Sequence, residues 1–138
     1  METYLKNEFI TIHYSTEQKI IQLTWLGFID STALRQGLNI ALNLAKQNKL
    51  NLWIMDQRLR RVLRSEDATW IINDWFPRFY KINPKSKIAI LLPEDTFGEY
   101  NTRKNVKEIE SRHQQMMPYK YFSTIKQALY WLTPVVIA

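Results

Sequence analysis

The residues best suited to chemistry lie between Asp56 and Asp74. Asp56 is followed closely by Arg58, Arg60, Arg61 and Arg64. A guanidinium is a planar fork that pairs with a carboxylate or phosphate through two parallel N–H bonds. Asp56 with Arg58 therefore either orients a polar group of a ligand or forms an ion pair that holds the local turn. The whole arginine run either binds phosphate or an acidic partner, or is a solvated loop partly neutralised by Glu66 and Asp67. Nucleic-acid binding would need Arg103, Lys104 and Lys107 on the same surface. A net charge of +6 does not demand it, because such a charge also serves solubility. Trp70 lies about 200° around a helix from Ala68, off the apolar stripe, with Asp74 about one turn further on. An exposed Trp at that place is expected to anchor an interface. The competing reading packs it on the preceding loop or on a strand edge.

A second group is apolar. Trp25, Trp53, Trp75 and Phe79 either line a pocket between a sheet and its helices or are plain core. Other chemistry is excluded or unsupported. There is no Cys, so disulfides, thiolate catalysis and Cys-based zinc sites are ruled out. His13 and His113 stand alone, without a partner at metal-ligand spacing. Three glycines (27, 37 and 98) form no phosphate cradle, and no nucleophile-elbow motif frames a serine. Glu94-Asp95 follows Pro93 and reads as a helix start. No catalytic residue, metal or cofactor is assigned.

These groups must be held by elements that hydrophobic periodicity locates. Glu8–Tyr14 and Lys19–Leu26 alternate with period two and are joined by the polar turn STEQ, which predicts an antiparallel hairpin ended by Gly27. Asp30, Ser31 and Thr32 precede a helical stripe of Leu34, Gly37, Leu38, Ala41, Leu42 and Ala45. Leu50–Asp56 is apolar on both parities, as expected of a parallel strand buried on both faces, and it should end at Asp56 on a basic loop. Ser65 is expected to cap a second helix with Ala68, Ile71, Ile72, Trp75, Phe76 and Phe79 inward, and Pro77 should kink or end it. Lys87–Leu92 is a further buried strand. Residues 96 to about 116 form a polar helix with the thin stripe Val106, Ile109 and His113. Tyr119–Phe122 is a short edge strand. A last helix follows the capping box Thr124-x-x-Gln127, and the apolar tail TPVVIA is left to dock, pair or fray.

The expected fold is α/β: one domain over residues 1–138, in the order β-β-α-β-α-β-α-β-α, with helices packed on a mixed, mostly parallel sheet. At 138 residues and 46% hydrophobic content the chain can bury a core. No apolar run approaches the length of a membrane span, and the N-terminus lacks the apolar region of a signal peptide. A soluble, cytoplasmic protein is the expectation.

With that order in view, the chain resembles the STAS-like superfamily, in particular its SpoIIAA-like branch of short bacterial proteins. The features are TWLG closing the second predicted strand, WIMDQR closing the third, SEDATW opening the second helix, IAILLPEDTF at the fourth strand and YFSTIKQALYWL at the end. The resemblance implies a small αβ domain with non-enzymatic roles: protein–protein association, nucleotide sensing or hydrophobic-ligand binding. It departs at one place. In the anti-sigma-factor antagonists of that group a phosphorylatable Ser follows Asp in a turn after the third strand, whereas Gln57 and Arg58 follow Asp56 here. The leading expectation is a regulatory module that self-associates as a homodimer or binds another protein through the Trp70 surface and the basic loop. The alternative is a carrier or sensor of a small apolar or amphiphilic ligand, with Asp56 and Arg58 at the pocket mouth. Phosphate or nucleic-acid binding by Arg58–Arg64 is the third.

Overall fold

The computed structural model describes residues 1–134, so the end of the apolar tail, residues 135–138, lies outside the described residues. Six strands form one sheet in the order of the sequence, β1-β2-β3-β4-β5-β6. These are β1 Glu2–Lys6, β2 Ile10–Ser15, β3 Ile20–Gly27, β4 Leu52–Arg60, β5 Lys87–Leu91 and β6 Tyr119–Phe122. The first three pair antiparallel, and β3 to β6 pair parallel. The sheet is therefore mixed, as the alternation of strands and helices predicts. The helices are α1 (Ser31–Asn48), α2, α3 (Thr96–His113) and α4 (Ile125–Leu132). Here α2 is continuous through Ser65–Trp70, a π-helical turn over Ile71–Trp75 and Phe76–Ile82.

Because each parallel strand is added to the same side of its predecessor, the right-handed crossovers put α1, α2 and α3 on one face. That face holds the larger core, which joins Ile12, Leu23 and Trp25 of the hairpin to Leu38 of α1, Trp53 of β4, Trp75 of α2 and Val106 of α3. Among the described residues the opposite face is covered by α4, whose Ala128 and Leu132 pack with Ile54, Ala89 and Leu91. Parallel strands covered on both faces read as unbroken apolar runs, which is how β4 and β5 look in the sequence.

Three expectations need correction. The chain begins with a strand that periodicity did not mark. β1 is an edge strand, four of its five residues are exposed, and backbone pairing to β2 holds it. β4 does not stop at Asp56 but runs on to Arg60. Ser65 is the first helical residue rather than a side-chain cap, and Arg64 at the cap position makes no capping bond. The other starts are capped as read: Asp30 accepts from the Ala33 N–H, Asp95 from Gly98 and Thr124 from Gln127.

Pro77 neither ends nor sharply breaks α2. A proline lacks the N–H for the helical ladder and clashes with the carbonyl four residues back. The helix widens there instead: the Phe76 N–H donates to the Ile71 carbonyl, five residues back. The Ile72 carbonyl would next look to residue 77, which has no N–H. It accepts instead from His113 Nε2 of α3 at 2.7 Å. His113 is thus a tie between two helices, and its tautomer is set with the proton on Nε2.

Gly37 lets α1 approach the sheet. A Cβ there would stand 3.0 Å from the Trp25 ring and 3.2 Å from Ile10 Cδ1. Gly37→Val is expected to lower stability by about 1.5 kcal/mol through overpacking, read as a lower urea midpoint with an unchanged slope.

Candidate functional site

The site is built by an irregularity in β4. Thr24 of β3 faces Asp56 and Leu26 faces Leu59, so two residues of β4, Gln57 and Arg58, oppose the single residue Trp25. This is a β-bulge, which restarts the alternation of side chains one residue later. Before it, Ile54 and Asp56 point to the α4 face. Beyond it, Leu59 pairs with Leu26 on that face, and Arg60 turns to the side of Trp25, α2 and α3. Without the bulge Arg60 would share a face with Asp56.

Arg60 therefore enters the interior. It is 8% exposed and lines a cavity of about 120 Å³ between the sheet and helices α2 and α3. The walls are apolar and include Trp25, Leu38, Met55, Ile72, Trp75, Phe79, Val106 and Ile109. One end is polar, formed by Gln57, Arg60, Thr102 and Asn105. Arg60 Nη2 donates to Gln57 Oε1 at 2.7 Å and to Thr102 Oγ1 at 3.4 Å. The Thr102 hydroxyl in turn donates to Gln57 Oε1 at 3.2 Å. Both partners are neutral, and none of the ion pairs among the described residues includes Arg60. Burial pushes its guanidinium down from the ordinary arginine range to about 10, opposed by the field of Asp95. It stays charged at neutral pH, in a setting where a buried charge ordinarily has a counter-ion.

Of the four aromatic residues singled out in the sequence, Trp25, Trp75 and Phe79 line this cavity and Trp53 does not. Trp53 stands behind them, its ring 6.0 Å from Trp75 and 4.6 Å from Phe79. Trp75 is fixed by its Nε1–H, which donates to the Leu38 carbonyl at 3.0 Å. The wall is thus held by α1 and cannot easily collapse into the space.

The charged residues are not gathered into one patch. Asp56 and Arg58 pair with each other: Nε and Nη2 of Arg58 lie 3.0 and 2.9 Å from the two carboxylate oxygens. The Arg58 backbone N–H also donates to Asp56 Oδ1 at 3.2 Å. Asp56 is buried and shares the face of Ile54, while Arg58 lines a shallow groove beside β6 and α4. They are not at the cavity mouth, because the bulge sends Gln57 and Arg60 to one side of the sheet and Asp56 and Arg58 to the other. Arg61 and Arg64 are exposed. Arg103 pairs with Glu99 and stacks on Tyr121, so it faces the groove with Arg58 and not the Arg61–Arg64 loop.

Asp67, expected to neutralise the arginine loop, is 1% exposed and turned inward. It accepts from the Ser31 hydroxyl at 2.8 Å and pairs with Arg35 at 3.3 Å, joining the starts of α1 and α2. Trp70, expected to be exposed, packs against the edge of the main core and is not free. It is half-buried, with the guanidiniums of Arg35 and Arg78 lying 5.2 and 5.8 Å from its ring. Asp74 holds Arg78 in that position through a bond of 2.9 Å.

The feature that sequence reading missed is the separation of Arg60 from its neighbouring arginines, together with Gln57, Thr102 and Asn105 as its surroundings. Thr102 stands on the same helical stripe as Val106 and Ile109, a polar residue in a buried row, and that was the one visible sign. Among the described residues no group of three or more His, Asp or Glu is gathered as a metal site, and no helix is long and apolar enough to cross a membrane. Compared with protein-family models, with curated proteins and with solved structures, the chain matches none.

Proposed function

We propose that this chain is a binding protein, a carrier or sensor for a small apolar or amphiphilic ligand held between its sheet and helices α2 and α3. The observation that carries this reading is the apolar cavity of about 120 Å³ with a cluster of polar side chains at one end. Small-molecule sites have this composition: a mostly apolar wall and a few convergent polar groups. The π-helical turn of α2 supplies Ile71, Ile72 and Trp75 to the wall, and such turns recur at functional sites. The STAS-like assignment remains part of the proposal, since hydrophobic-ligand binding is among the roles it implies. Association through the Trp70 surface draws less support, because that ring is already occupied by two arginines of the same chain.

The cavity is tested by filling it. Ala68 lines the space from α2, and Ala68→Phe would place a ring in it. Native mass spectrometry of the protein purified from its own host is expected to show a small-molecule adduct on the wild type and none on the variant. Titration with toluene, followed by the fluorescence of Trp25 and Trp75, should give saturable binding to the wild type alone. A bare wild-type mass together with no toluene binding overturns the reading.

A further inference from the structure

We propose that the ligand of this cavity is an anion, a small carboxylate with a ring or short hydrocarbon tail, and that Arg60 is the residue that recognises it. The inference rests on the cavity reading above and adds the class of ligand. Two independent features of the structure lead to it.

The first is the hydrogen bonding of Arg60. Its guanidinium has five N–H donors, but only Nη2 is engaged, and by neutral acceptors. Nε and Nη1 make no hydrogen bond among the described residues. Each of these free nitrogens can donate a charge-assisted N–H bond to a carboxylate oxygen, which is stronger than a bond between neutral groups. The second is the absence, among the described residues, of an internal counter-ion. The other buried charged groups, Asp56 and Asp67, each have an arginine at ion-pair distance. The acid whose field reaches Arg60 is Asp95, and its exposed carboxylate already accepts the Gly98 N–H as the cap of α3. The groups facing Arg60 from α3, Thr102 and Asn105, are neutral, and the nearby wall from β3 and α2, Trp25, Ala68 and Ile71, carries no charge.

The surroundings also limit what the anion can be. A phosphate ester with its two charges would meet one guanidinium and no second cation, since Arg58 points to the opposite face and Arg61 and Arg64 are exposed. One negative charge matches one guanidinium. The remaining space is apolar and of ring size, with Trp25, Trp75 and Ile72 as its walls. An aromatic or short-chain carboxylate satisfies both ends at once.

The experiment compares acids with their neutral amides: benzoate with benzamide, phenylacetate with phenylacetamide, and hexanoate with hexanamide. Each is titrated into the wild type and Arg60→Met at pH 7, with Trp fluorescence and calorimetry as readouts. The expected result is that at least one acid binds the wild type tenfold or more tightly than its amide. In Arg60→Met that preference should fall to parity, and Arg60→Lys should restore part of it. Equal affinity of acid and amide for the wild type overturns the anion inference and leaves the cavity reading intact. Failure of every acid, every amide and toluene to bind overturns both. A preference for the acid that survives in Arg60→Met also overturns the assignment, since the recognition would then lie elsewhere.

Discussion

Replacing Arg60 with methionine is expected to make the empty protein more stable and not less. The guanidinium is buried without a counter-ion among the described residues, and its fall from the ordinary arginine range to about 10 corresponds to a burden of about 3 kcal/mol on the charged form in the folded state. Methionine has an unbranched stem like that of arginine and needs no partner. The groups left behind are not orphaned, because Thr102 still donates to Gln57. Allowing for the two lost hydrogen bonds, the net gain is about 2 kcal/mol, or about 6 °C in Tm for a chain of this size. Replacement of buried charges by apolar residues has this sign elsewhere. The sign also follows with pH. The native protein releases the Arg60 proton near pH 10, while the unfolded chain keeps it to the higher pH of an ordinary arginine. Between those values the unfolded state binds more protons, so the wild type gains stability relative to the variant. The Tm difference should be full at pH 7 and shrink above pH 10. A variant less stable than the wild type at pH 7 would show that Arg60 is structural. A residue that costs stability and sits in a cavity is the pattern expected where a ligand supplies the missing interaction, and ligand then restores stability by mass action.

The Asp56–Arg58 pair should behave in the opposite way, and asymmetrically. Asp56 is 4% exposed, whereas the side chain of Arg58 is 35% exposed. Arg58→Ala leaves a buried carboxylate whose remaining donor is the backbone N–H of residue 58, and is expected to cost about 3 kcal/mol. Asp56→Ala leaves a guanidinium that water can reach, and is expected to cost about 1 kcal/mol. The double variant should be more stable than Arg58→Ala alone, because it carries no unpaired carboxylate. Urea unfolding of the three proteins tests the cycle. Equal losses in the two single variants would mean that the pair is solvated and that burial of Asp56 does not matter. Ligand affinity should change little in Asp56→Ala, since the pair and the cavity lie on opposite faces of the sheet.

The two arginines differ by two positions in the chain, yet one is a stabilising partner and the other an unpaired charge. Little in the local sequence distinguishes them. A strand ending at Asp56 leaves the arginines in one loop that looks like a single basic patch, and period-two counting along the longer β4 would still put positions 56, 58 and 60 on one face. The bulge opposite Trp25 breaks that count. Bulges arise from how two strands fit against each other and against what packs on them, and so are weakly encoded in either strand alone. Asp67 is a similar case. Its place in the first turn of α2 suits the helix dipole, but its burial against Ser31 and Arg35 depends on where α1 starts.

What the sequence determined by itself is the set of elements with a strong period and a defined end. β2 to β6 and all four helices follow from apolar spacing, although β4 runs past its expected end at Asp56 to Arg60, and three helix starts follow from Asp30, Asp95 and Thr124, because these effects act over one or two turns of chain. The same short range explains the losses. β1 has no buried face to create a period, and its pairing is made by backbone groups that every residue carries. The passage of α2 through Pro77 depends on a π turn whose freed carbonyl is satisfied by His113 from another helix. The choice of face for Arg60 depends on a strand more than thirty residues earlier. The tertiary structure decided the site because a cavity is a property of surfaces brought together. Its walls come from β3, β4, α1, α2, β5 and α3, and no single stretch of the chain contains enough of it to be read.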